Sequence, residues 1–243
     1  MDLFAKLLLI THVIAGFTCL TTGLLAIVLR KGGRGHAITG QVFFWSMVYV
    51  NVSAILHILT VRFIPFLLVV AIFSFYHIFT GYRVLFRKKP GEQTWFDWAG
   101  ALISVVAGLG LIAYGFTMLS KSLPLFIMCA AFGTATFYWA ARDIRWFLKP
   151  ELLTDKMWWF YHHMSAMIGA YIAAVTAFTV NAGSEIIAST SWGWLLWFLP
   201  AVILGTLSGV WKRRYKRQFA GAKERRRPQV EPQPVVTPAE MAV

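Results

Sequence analysis

Five of the six histidines in this 243-residue chain, His12, His57, His77, His162 and His163, fall inside long apolar stretches. A titratable imidazole is costly in hydrocarbon, so such residues face a bundle interior or a cavity and are functional candidates by default. Imidazole is also the commonest metal ligand and a ligand of haem iron. None of the ten Asp and Glu residues is expected deep inside such a stretch, so the histidines have no acidic relay beside them. His36 differs from the rest. It lies in the basic segment Lys31-Gly-Gly-Arg34-Gly35-His36, where solvation at the surface is expected.

The elements that must position these side chains follow from composition. Hydrophobic residues make up 58% of the chain and charged residues 14%, against roughly 25% charged in an average soluble domain. The mean hydropathy is +0.63. This is the composition of an all-α integral membrane protein. Crossing about 30 Å of hydrocarbon takes about 20 apolar residues, and such windows recur seven times: Phe4–Leu29, Ile38–Val61, Ile64–Phe86, Trp95–Leu119, Pro124–Phe147, Met157–Val180 and Trp192–Trp211. Only Arg62 and Pro65 separate the second from the third, and Pro65 suits a first helical turn. One membrane domain, residues 1–211, is therefore expected, followed by a basic, disordered cytoplasmic tail over 212–243.

Loop charge sets the orientation. Arg30, Lys31 and Arg34 follow the first span, Arg83, Arg87, Lys88 and Lys89 the third, and Arg142, Arg145, Lys149 and Lys156 flank the turn after the fifth. Basic residues favour the cytoplasmic side, so the N-terminus is expected outside and the C-terminus inside, in the inner membrane of a bacterial cell. The formal charge of +13 includes nine basic residues between Lys212 and Arg227. That concentration makes the lipid bilayer and its anionic headgroups the expected partners, and argues against a nucleic-acid face. Cys19 and Cys129 sit in apolar runs, where a thiol packs as a small hydrophobe.

Helical rise places the histidines in two layers. His12 lies roughly 12 Å and His57 roughly 6 Å below the outer interface; His77 lies about 10 Å, and His162 and His163 roughly 8 to 9 Å, from the inner one. Small residues mark inward faces, with His12 beside Gly16, Cys19 and Gly23, a stripe of Gly100, Ser104, Gly108 and Gly115, and His162 beside Gly169 and Ala173. The sharpest expectation is b-type haem held by His12 with His57 outside and by His77 with His162 or His163 inside. Two such haems, served by a redox partner, would carry electrons across the membrane. This arrangement resembles that of two-haem transmembrane cytochromes, although no span carries their two histidines about 13 or 14 residues apart.

Transport of a proton or small solute is the alternative, with Asn51, Tyr76, Tyr114 and Tyr171 lining a path. A third reading is structural, each histidine locking helix packing through a hydrogen bond. Metallohydrolase chemistry is disfavoured: there is no HExxH, and His162 and His163 point about 100° apart. No hydrolase or transferase motif occurs. Finally, Arg34-Gly35-His36 with Gly40, and His163-Met164 with Gly169, Tyr171, Thr176-Ala177-Phe178 and Asn181, resemble bacterial multi-pass membrane proteins known only as a domain of unknown function. The resemblance covers the first six spans, implies their topology, and draws His36 and Asn181 into consideration.

Overall fold

The computed structural model describes residues 3–191 and 193–225, leaving Trp192 and the tail beyond Arg225 outside the described residues. Among the described residues eight α-helices follow in order: α1 (Leu3–Val28), α2 (Arg34–Thr60), α3 (Pro65–Arg83), α4 (Trp95–Met118), α5 (Leu123–Leu148), α6 (Trp158–Ala182), the short α7 (Ser184–Ser189) and α8 (Leu199–Arg225). Seven helical segments are long and apolar enough to cross a membrane, in the places the hydropathy indicates. Among the described residues the fold is all-helical, with no strand.

Local chemistry explains the boundaries. Gly32, with φ of 77°, turns the chain after α1 in a conformation that a Cβ would strain. Ile64 caps α3 with Pro65 in its first turn, where the missing N–H costs nothing. At the start of α4, Thr94 and Asp97 form a capping box, the threonine hydroxyl and the carboxylate each serving the other's backbone N–H. The Ser122 hydroxyl accepts from Leu125 N–H at the start of α5.

The chain divides into two compact units, residues 1–208 and 209–243. In the first, α3 is central and packs on α2, α4, α5 and α6, while α1 packs on α2 and α6. Half of the apolar window of α3 and of α6 is buried, against 17% in α1, so these two helices bring the site together. The glycine stripe of α4 lies inward as its spacing indicates. A Cβ on Gly108 would stand 2.9 Å from the Gly133 carbonyl of α5, and one on Gly115 would stand 2.9 Å from Cys129 Cβ. On α1, Gly23 lies against Tyr171, whereas Gly16 faces open space.

Two boundaries differ from expectation. The second helix begins at Arg34, four residues before Ile38, and so takes His36 into its first turn. The basic stretch expected to be disordered is helical as far as Arg225. Lys, Arg, Gln, Glu and Ala are all good helix formers, and this local preference outweighs the lack of apolar residues.

Candidate functional site

The ionisable side chains concentrate at the end of the first unit where α3 finishes, α4 starts, α5 finishes and α6 starts. Asp143, on α5, is completely buried. Its Oδ2 accepts from the Tyr76 hydroxyl at 2.8 Å and the Thr80 hydroxyl at 2.7 Å, both on α3. Arg142 reaches its Oδ1 at 3.3 Å, and Arg87 stands 3.9 Å from its Oδ2. Arg87 also pairs with Asp97 at 3.4 Å, and Asp97 with Arg83 at 2.8 Å. The expectation that the spans hold no buried acid is therefore corrected. Thr136, Ala140, Asp143 and Phe147 occupy one face of α5 at helical spacing, and all four are buried. The signal was present in the sequence, but Asp143 stands between Arg142 and Arg145 and reads there as part of an exposed basic flank.

His162 belongs to this network. Its Nδ1 lies 3.1 Å from Arg142 Nη2, and its Nε2 lies 2.9 Å from the Thr80 hydroxyl and 3.5 Å from Asp143 Oδ2. A guanidinium only donates, so Nδ1 must accept and the imidazole proton sits on Nε2. Thr80 gives its hydrogen to Asp143, leaving its oxygen free to accept from Nε2–H and from Arg87 at 3.1 Å. Both nitrogens of His162 are thus occupied by protein, and Trp139, Trp146 and Trp158 surround the ring. Arg142 lies over Trp139 and Trp146, 3.9 and 4.4 Å from the ring centroids.

Three other histidines share a different pattern. Nδ1 of His36, His77 and His163 meets the backbone carbonyl of Ala26 at 3.0 Å, Phe73 at 2.8 Å and Gly81 at 2.8 Å. A carbonyl only accepts, so in each ring the proton is on Nδ1 and the lone pair on Nε2. His12 Nδ1 stands 2.8 Å from Ser53 Oγ, a hydroxyl that also meets the Tyr49 carbonyl at 2.8 Å. A proton on Nδ1 makes the ligand-ready form. Metal-binding histidines almost always donate the second ring N–H to a carbonyl or carboxylate, which fixes the ring and raises its basicity.

The structure pairs these rings differently from the sequence expectation. His36 on α2 and His163 on α6 are in ring contact, with centroids 6.4 Å apart and planes at 88°. Both are half-buried, and neither Nε2 hydrogen-bonds to a described protein group. His77 has no ring contact with His162 or His163; it packs against Phe73 and Trp139 at 4.1 and 4.8 Å and fills the space over Gly169. His12 and His57, on the neighbouring helices α1 and α2, are half-buried and within electrostatic range of one another. His36 is not a solvated loop residue, because starting α2 at Arg34 turns its ring toward the Ala26 carbonyl. Lys31 donates to the Ala26 and Ile27 carbonyls at 2.7 Å each, and burial pushes its ammonium below the usual lysine range. Asn181 donates to the Ala177 carbonyl within its own helix.

Among the described residues no three His, Cys, Asp or Glu side chains gather where they could hold a bare metal ion. A porphyrin supplies four nitrogens of its own and asks the protein for one or two axial ligands, so a histidine pair suits haem better than a free cation. Comparison with family models, curated proteins and solved structures gives no match for this chain.

Proposed function

We propose that this protein is a haem-binding electron carrier of the bacterial inner membrane, with His36 and His163 as the axial ligands of a b-type haem. The geometry of that ring pair carries the reading. Two histidines on facing helices, each with Nδ1 held by a carbonyl, would hold an iron through Nε2. The rings stand at 6.4 Å, and both are in the tautomer that leaves Nε2 free. A Cβ on Gly40, one turn beyond His36 on α2, would meet nothing within 4 Å, so the histidine's flank is open to a flat ligand. Lys31 places positive charge beside His36, where a propionate could meet it. Bound haem would supply one-electron redox chemistry, while the two imidazoles hold the iron and the backbone carbonyls hold the imidazoles.

The Asp143 network does not favour transport to the same degree. Its members bond chiefly to one another, which makes it a fixed joint between helices and not a path.

Protein purified in detergent from haem-replete cells is expected to show a Soret band and, after dithionite, a sharp α band. His36→Ala and His163→Ala should each abolish the low-spin spectrum, whereas Asn181→Ala, at the far end of α6, should keep it. Haem stoichiometry would report on the outer pair: one per chain assigns the haem to His36 and His163, and two would add His12 and His57. A colourless wild-type protein overturns the reading.

A further inference from the structure

Two consecutive residues of α3 hold two consecutive residues of α6. The Thr80 hydroxyl meets His162 Nε2 at 2.9 Å, and the Gly81 carbonyl meets His163 Nδ1 at 2.8 Å. Neighbouring side chains on a helix diverge by about 100°. Two bonds so directed fix both the sliding of α6 along α3 and its rotation about its own axis. One bond would leave the rotation free.

We infer that Thr80 and Asp143 are positioning residues for His163, setting the direction of its imidazole through the adjacent His162. The inference rests on His163 being a haem ligand. Thr80 can accept from His162 only while its own hydrogen points elsewhere, and Asp143 Oδ2, 2.7 Å away, takes that hydrogen. Asp143 is itself held by Tyr76 and by the guanidinium groups of Arg87 and Arg142. The hydroxyl's orientation is therefore determined by α5 as well as by α3. Close packing on the far side completes the arrangement: Gly81 lies against Ala166, where its Cβ would be 3.0 Å from the alanine Cβ, so the helices meet almost backbone to backbone beside His163.

Thr80→Val keeps the shape of the side chain and removes its hydroxyl. His162 Nε2–H then has only Asp143 Oδ2, 3.5 Å away, as a partner. Moving toward it turns α6 and loosens the His163 bond to the Gly81 carbonyl. Loss of such a supporting bond typically weakens metal affinity 10- to 100-fold. It also makes the imidazole less basic, so ferric haem is stabilised less and the midpoint potential should rise.

The test compares wild type, Thr80→Val and Thr80→Ser by redox titration and by haem loss to a soluble haem acceptor. Thr80→Val should lose haem 10- to 100-fold more readily and titrate at a higher potential, with Thr80→Ser restoring both. If Thr80→Val does not fold, Thr80→Ala gives the same comparison without the added methyl group. Unchanged potential and haem retention in a folded valine or alanine variant overturn the positioning role and leave the ligand assignment standing. A wild-type protein without haem overturns both.

Discussion

Replacing Asp143 by alanine is expected to cost about 3–5 kcal/mol of stability, the range found when one partner of a buried ion pair is removed. The cost arises mainly from what remains. Arg87, whose side chain is 5% exposed, and Arg142 would keep their charges in a site that has lost its central carboxylate. Tyr76 would lose its acceptor, and Thr80 would lose the partner that orients it. Arg142→Met should cost less, since that side chain is 20% exposed and its charge leaves with it. The double variant should be less destabilised than the sum of the two, because the alanine no longer strands Arg142. Unfolding in mixed detergent micelles, followed by intrinsic tryptophan fluorescence, would measure all three; additive losses would show that Asp143 and Arg142 are not coupled.

Gly108→Val and Gly133→Val should each destabilise the protein by at least the 1–3 kcal/mol typical of overpacking. A Cβ on Gly108 would stand 2.8 Å from Phe137 N and 2.9 Å from the Gly133 carbonyl, and one on Gly133 would stand 2.9 Å from the Gly108 carbonyl. These obstacles are backbone atoms, so no side chain can rotate away. Relief requires moving α4 from α5 along the most extensive helix interface in the fold. Gly110→Ala is the matched control. Its Cβ meets nothing within 4 Å, and alanine is the better helix former, so no loss is expected there. Equal losses at Gly108 and Gly110 would mean that backbone flexibility, and not close approach, explains the glycines.

Hydropathy and the small-residue stripes made the helices and much of their inward faces legible, because lipid imposes a length on a span and packing imposes a size on its contacts. Gly108, Gly115, Gly169 and Ala173 all lie where their spacing indicates. The site was less legible. Depth along a helix can be counted from sequence, but the direction of a neighbouring helix cannot, and so His77 was placed with His162 or His163 on depth alone. Spacing alone makes His36 a solvated residue, through a boundary of four residues, since a histidine before the helix is solvated and one in its first turn is aimed; only the family resemblance draws it into consideration. Asp143 was missed for another reason. Charge in an apolar context reads as an end of the span until the structure shows Arg142 of α5 and Arg87 of the segment after α3 meeting it.

The order in which the chain supplies this network has a consequence for its synthesis. Tyr76, Thr80, Arg87 and Asp97 all precede Asp143 in sequence. When α5 leaves the ribosome with its carboxylate, the hydroxyls and the guanidinium that meet it are already available on α3 and the segment that follows it. Only His162 arrives later, and its contribution is a neutral donor. Translation thus presents the Asp143 carboxylate after the groups that meet it, and α6 is the last helix to join this network. Fusions that stop the chain after α5 should therefore retain an inserted, protease-resistant α3–α5 core, whereas moving α5 ahead of α3 in a permuted chain should hinder insertion at Asp143.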